Sequence, residues 1–246
     1  MKNTSKMFLI NYQIPDYIKT FYKNAAEEFK SDFVIQPDNL RKYVSLQLKK
    51  DKPYYKDDWF KEMKTDIAKI IGLDESEYVR VRDSIGVNEA GVGITPHRDD
   101  IWPEVIDMSD VEHNEYKQSI LKTFFTENVP GIGLWHKNSS LVQMRCNFFV
   151  VDPQGGQNPW VEDSILNLPS AEWGVGFDSA YIHGTTPGNN KKITLSMGFL
   201  IRLETFNRLV YNNYYDFQTL VTPNPYYKLE DKNRGILNPD FKYKNE

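Results

Sequence analysis

The segment YVRVRDSIGVNEAGVGITPHRDD, residues 78–100, marks a change of character in the chain. Tyr78 to Val87 alternate as the side chains of a strand do, whereas the residues before Tyr78 follow a helical period. NEAGVG (88–93) is a turn, and ITPHRDD resumes an extended path. On an extended segment, residues i and i+2 point to the same side. His97 and Asp99 therefore present an imidazole and a carboxylate together, a pair able to take adjacent positions on one metal ion.

On the N-terminal side, DYIKTFYKNAAEEFK (16–30) and DDWFKEMKTDIAKIIGL (57–73) carry apolar residues at helical spacing, the second starting at Asp57 and Asp58 and stopping at Gly72. A polar segment with Pro37 and Pro53 joins them, so residues 1–77 read as a helical support. On the C-terminal side, residues 104–128 read as an insertion, acidic at first and then helical from Glu112 to Phe125. Strand-like segments follow at 133–136, 141–151, 160–168, 172–177, 180–184 and 192–202, separated by turn residues. Short strands at this spacing indicate a barrel or sandwich. Residues 203–246 begin with a helix (Glu204 to Leu220) and end in a polar tail. The whole chain, 1–246, reads as one domain with its β core at 78–202.

Apolar residues make up 40% and aromatic residues 14%, which suits a β-rich core. The net charge of −4 and the absence of a basic, aromatic-rich stretch argue against a nucleic-acid partner. No apolar run is long enough to span a membrane, and no cleavage signal follows the apolar patch at Met7 to Ile10. The one cysteine, Cys146, permits no intrachain disulfide and reads as a buried core thiol, so a cytoplasmic setting is expected. Any metal site must use His, Asp or Glu.

A third ligand beside His97 and Asp99 has three histidine candidates. His113, in EHNEYK, reads as a solvated helix residue. His136, in GLWHKN, sits at a strand end and is either structural or pocket-lining. His183, in SAYIHGTTP, ends an apolar strand before a turn. Asp100 reads as a surface or supporting group, Arg98 as pointing away from the metal, and Trp102 and Trp135 as packing residues. HRD also occurs in protein kinases, but no phosphate-binding glycine loop precedes it here and the required downstream Asn is missing.

Taken in order, His97-x-Asp99, then His183 at 86 positions beyond His97, then Lys192-x-Thr194 resemble the Fe(II)/2-oxoglutarate-dependent oxygenases over about residues 78–202. That resemblance implies a mainly β protein with flanking helices (α+β) around a double-stranded β-helix, the jelly-roll or cupin-like core. It implies Fe(II) held by His97, Asp99 and His183, with 2-oxoglutarate and dioxygen as cosubstrates. Lys192 and Thr194 would receive the far carboxylate of 2-oxoglutarate. Arg145, with Asn147 on the same face of LVQMRCNFFVV, would be a second contact, and Arg202 is a further candidate anchor. The family pattern at the anchor is Arg-x-Ser; Lys offers a point charge where Arg offers a fork. A retained Asp99 implies hydroxylation or another oxidation, since related halogenases lack the carboxylate.

The expected substrate is a small molecule, such as an amino acid or amine, hydroxylated at an unactivated C–H. The acidic stretch 104–112 points to a cationic group on it. Three alternatives stay open: a hydroxylase acting on a peptidyl residue, a non-enzymatic cupin-like binding protein, and a zinc- or manganese-dependent cupin enzyme without a 2-oxo acid.

Overall fold

A computed structural model describes residues 6–35, 41–99, 103–128, 134, 139–152, 158–213 and 220–224. Its strands are β1 (Met7–Ile10), β2 (Val34–Ile35), β3 (Arg41–Ser45), β4 (Tyr78–Asn88), β5 (Ile94–His97), β6 (Leu141–Val151), β7 (Pro159–Val161), β8 (Ser164–Leu166), β9 (Gly174–Asp178), β10 (His183–Thr185), β11 (Lys192–Arg202) and β12 (Val221–Pro223). Its α-helices are α1 (Asp16–Glu28), α2 (Asp57–Ile71), α3 (Glu115–Glu127) and α4 (Leu203–Asn212). The strands form a larger sheet, β1-β9-β6-β11-β4-β3-β2, and a smaller one, β12-β8-β7-β10-β5, with antiparallel pairing between neighbours. Met7, Leu9, Val175 and Phe177 of the larger sheet pack against Val161 and Leu166 of the smaller, so the two face each other as a jelly-roll sandwich.

The period-2 pattern of the long strands sorts their residues onto two faces. On β11, Ile193, Leu195, Met197, Phe199 and Ile201 turn outward and are buried against α1, α2 and α4. Each such side chain removed from water contributes about 1.5–3 kcal/mol. The intervening residues Lys192, Thr194, Ser196 and Gly198 line the interior. On β6 the same alternation puts Cys146 among the helices, buried as expected, and Gln143, Arg145 and Asn147 inside. An apolar sheet face covered by helices therefore backs a polar interior.

Three differences from the sequence reading have plain causes. The N-terminal third contributes β1, β2 and β3 to the larger sheet as well as two helices. MFLI is too short to show a period, and the alternation of RKYVS is hidden by its charges. Residues 160–168 form two strands rather than one, because the chain reverses at Glu162, whose φ is 49°. The last helix closes at Asn212 within the described residues, and α3 starts at Glu115, capped by the Asn114 side chain, which accepts from the Lys117 N–H at 3.0 Å. Of the expected strand at 133–136 only Leu134 is described, as a buried turn residue, and the tail beyond 224 lies outside the described residues. Among the described residues, no helix is long and apolar enough to cross a membrane.

Candidate metal centre

His97 ends β5 and His183 begins β10, and the two are direct partners in the antiparallel register. Directly opposed residues on one sheet face bring their side chains together, and the imidazole centroids lie 4.3 Å apart. The approach of β10 to β5 depends on Gly184: a Cβ there would stand 2.3 Å from the Ile94 carbonyl oxygen and collide with the Trp160 ring. Asp99 follows two residues after His97, and its N–H donates to the Ser179 carbonyl at 3.0 Å. One ligand atom from each of His97, Asp99 and His183 lies within 4.8 Å of the others, and the three form a metal-competent cluster among the described residues.

The surrounding hydrogen bonds prepare these groups. His183 Nδ1 lies 2.9 Å from the Tyr181 carbonyl oxygen, which can only accept. The proton is therefore on Nδ1, and the Nε2 lone pair is left for a ligand. Asp99 divides its oxygens: Oδ2 accepts from Arg145 Nε at 2.9 Å, while Oδ1 lies 3.7 Å from His97 Nε2 and 3.6 Å from Arg82 Nη2. Burial alone would raise the Asp99 carboxyl, but Arg145 and Arg82 outweigh it and hold the group well below the usual carboxylate range. That favours the ionised form, the form in which a carboxylate binds a metal. Burial, reinforced by Arg82, lowers Arg145 to about 10 against the pull of Asp99.

Deeper along the interior, Lys192 is 1% exposed and its ammonium donates to the Thr185 hydroxyl at 3.3 Å, with the Phe149 ring 5.7 Å away. Thr194 Oγ1 and Asn147 Oδ1 are buried without a hydrogen-bond partner. A buried cation beside the open Thr194 hydroxyl suits a carboxylate-bearing ligand, whereas the open Asn147 Oδ1 is an acceptor and suits a donor. The residues thus fit both a divalent metal and an acid cosubstrate beside it.

Of the sequence candidates, His97, Asp99 and His183 are brought together, and Lys192, Thr194 and Asn147 line the same interior. Arg145 meets a carboxylate of the protein itself, Asp99. Arg202 reaches the Ser119 hydroxyl at 3.0 Å on α3, away from this interior. His113 is exposed ahead of α3. His136, Asp100, Trp102 and Trp135 lie outside the described residues. Arg98 is half-buried. In the acidic insertion, Asp107 is engaged by Arg80 at 3.4 Å and by Ser109. Next to the His97, Asp99 and His183 cluster stand two arginines instead, Arg82 and Arg145. Arg82 is a residue that the sequence reading missed, because the irregularity that aims it cannot be read from alternation.

No family model matches the chain, and no curated protein matches it. Among solved structures, it is similar to the non-haem α-ketoglutarate-dependent carbocyclase SnoK of nogalamycin biosynthesis, at 13% identity and a TM-score of 0.50, over 80% of this chain and 79% of that one. A Pseudomonas putida prolyl-4-hydroxylase aligns at 10% identity and a TM-score of 0.45, over 81% of this chain and 94% of that one. HygX from Streptomyces hygroscopicus, solved with nickel and 2-oxoglutarate bound, aligns at 11% identity and a TM-score of 0.46, over 80% and 83%. The fold of this chain is the one SnoK has.

Proposed function

We propose that this protein is an Fe(II)- and 2-oxoglutarate-dependent oxygenase that hydroxylates an unactivated C–H bond of a small molecule, such as an amino acid or amine. One observation carries the reading: two imidazoles and a carboxylate, from two paired strands and the turn after one of them, converge inside a jelly roll. The shared fold with SnoK and the buried Lys192 beside Thr194 support it.

His97, Asp99 and His183 would hold iron on one side and leave its other positions free. The bound iron supplies the coupling of 2-oxoglutarate decarboxylation to oxidation: one dioxygen and one 2-oxoglutarate become succinate, carbon dioxide and the hydroxyl oxygen of the product. The remaining work belongs to the chain. Tyr181 keeps the Nδ1 proton of His183 in place, and Arg145 keeps one Asp99 oxygen occupied so that the other faces the histidines. Lys192 and Thr194 would receive the far carboxylate of 2-oxoglutarate, with the Phe149 ring beside it. The interior between the sheets shields the reacting groups from water, since Asp99 and His97 keep only 16% and 15% of their side chains exposed.

The test is succinate formation from 2-oxoglutarate by anaerobically purified protein, given Fe(II) and then oxygen, with no added substrate. Slow uncoupled turnover by the wild type and none by His97→Ala is expected. Equal succinate from both proteins would sink the reading.

A further inference from the structure

Arg82 is 9% exposed, and its Nε is buried without a hydrogen-bond partner. Its place follows from an irregularity in β4. Ser196 of β11 pairs with Ser84, but Gly198 pairs with Val81, so β4 carries one extra residue there. Such a bulge re-aims side chains. Asp83 turns to the helices, where it meets Lys64 at 2.8 Å, and Arg82 turns inward, where Nη2 lies 3.6 Å from Asp99 Oδ1. That is ion-pair range but beyond hydrogen-bond range. Nε of Arg82 is buried with no hydrogen-bond partner. Asp99 cannot supply one: Arg145 holds Oδ2, and Oδ1 is the oxygen turned toward His97.

A second donor stands on the same interior. Gln143 lies two residues from Arg145 on the inward face of β6, is 1% exposed, and its Nε2 is also without a partner. The formal charges agree with the donors. Lys64 and Asp83 cancel, and Asp99 cancels one of the two guanidiniums, so among the described residues of this cluster one buried positive charge stands in excess. Two unsatisfied donors and a surplus cation call for an oxyanion. A ligand presenting only an ammonium would face repulsion there.

We propose that Arg82, assisted by Gln143, binds a ligand carboxylate beside the metal; where that carboxylate is the prime substrate's, an amino acid is accepted and a simple amine rejected. The inference rests on the proposed function in that it names the substrate class of the same site. The carboxylate has two sources: the acid group of the prime substrate, or the carboxylate next to the keto group of 2-oxoglutarate.

The experiment has two arms, run on wild type, Arg82→Gln and Arg82→Lys. Bound metal is measured first, so that damage to Asp99 registers as lost metal. In one arm, 2-oxoglutarate is titrated anaerobically into the Fe(II) protein and followed by absorbance. In the other, the redox-inert Zn(II) protein, with and without 2-oxoglutarate, is screened by saturation-transfer NMR with the twenty L-amino acids and with their C-terminal amides. In one arm or the other, Arg82→Gln is expected to weaken carboxylate binding on the order of ten- to a hundredfold, the loss of one or two charge-assisted hydrogen bonds. Loss confined to the first arm identifies the cosubstrate carboxylate as the ligand. Loss confined to the second, together with silence of the amides on wild type, identifies the substrate. Arg82→Lys keeps the charge but not the fork, and is expected to recover part of the loss; it carries the test if Arg82→Gln fails to fold or to hold metal. Carboxylate binding unchanged in both arms, or no acid bound preferentially over its amide and no change in 2-oxoglutarate affinity, overturns the proposal. An absent 2-oxoglutarate band on wild type would refute the proposed function instead, and the amino-acid arm would still decide the role of Arg82.

Discussion

Asp99 serves two neighbours at once, and its value as a ligand depends on that division. Arg145 fixes Oδ2 at 2.9 Å, which orients Oδ1 toward His97. Arg145→Met leaves the three ligands in the chain but frees the carboxylate to rotate. A partner of this kind is worth about 10- to 100-fold in metal affinity, so Fe(II) titration calorimetry should show weakening of that size, with one site retained. Lys192→Ala should leave metal binding intact and weaken 2-oxoglutarate: losing one member of a buried charge contact costs about 2–5 kcal/mol, read as a rise in the 2-oxoglutarate dissociation constant of more than an order of magnitude. Much at this scale could be read from sequence. The family resemblance singled out His97, Asp99 and His183, which the structure brings together, along with Lys192 and Thr194, and alternation alone puts Arg145 and Asn147 on one face of a strand. Which group Arg145 meets could not be read, because Asp99 lies 46 residues away and reaches it only when the sheets close.

Elements set the site through their irregularities and their backing. Gly198 on β11 sits where a Cβ would come within 2.5 Å of the Arg82 carbonyl oxygen and 2.8 Å of Arg145 Nη1. Arg145 uses that gap to donate to the Arg82 carbonyl, so Gly198→Ala must displace one or the other. Overpacking of this kind costs about 1–3 kcal/mol; urea denaturation should show that loss, and metal affinity should fall with it. Behind the same strand, Lys64 of α2 pairs with Asp83 at 2.8 Å and donates to the Val81 carbonyl at 2.9 Å. Lys64→Met removes the cation from a buried carboxylate that also accepts from the Gly198 N–H, at 3.2 Å. Its stability should fall by about 3–5 kcal/mol, and the double variant Lys64→Met with Asp83→Leu should recover most of it. The long elements were evident in the sequence, since apolar and polar or small residues alternate over 142–148 in β6 and 192–199 in β11. The bulge in β4 was not, because an extra residue leaves the local pattern almost unchanged and shows itself only against a partner strand. The four-residue β1 was missed for want of length.

At the scale of the whole molecule, the fold surrounds acidic groups with unequal environments, and its stability should record this. Asp178 is 5% exposed at the end of β9, and burial raises its carboxyl to about 7 despite the Ala180 N–H that donates to it. In the unfolded chain the same group titrates near 3.9. The folded state therefore holds the proton more tightly. The contribution of this group to stability is fully present at low pH, below its unfolded value, and is lost as pH rises through 7. Each tenfold difference in proton affinity between the two states is worth about 1.4 kcal/mol, so the change between pH 5 and pH 8 amounts to a few kcal/mol. Asp178→Asn should flatten that part of the denaturation profile. A barrel or sandwich followed from the short strands and the jelly roll from the family resemblance, while the pairing of β1 with β9 and of β3 with β4 required the three-dimensional structure. The site belongs to the whole molecule as well: His97 and His183 come from the smaller sheet and Asp99 from the segment after β5, whereas Arg82, Arg145 and Lys192 come from the larger. The most direct test is an anaerobic titration of 2-oxoglutarate into the Fe(II)-loaded protein, followed by absorbance. A saturable band at one equivalent of iron, absent in His97→Ala and shifted to higher concentration in Lys192→Ala, is the expected result. No band in the wild type, or a band that survives His97→Ala unchanged, would contradict an iron centre at His97, Asp99 and His183.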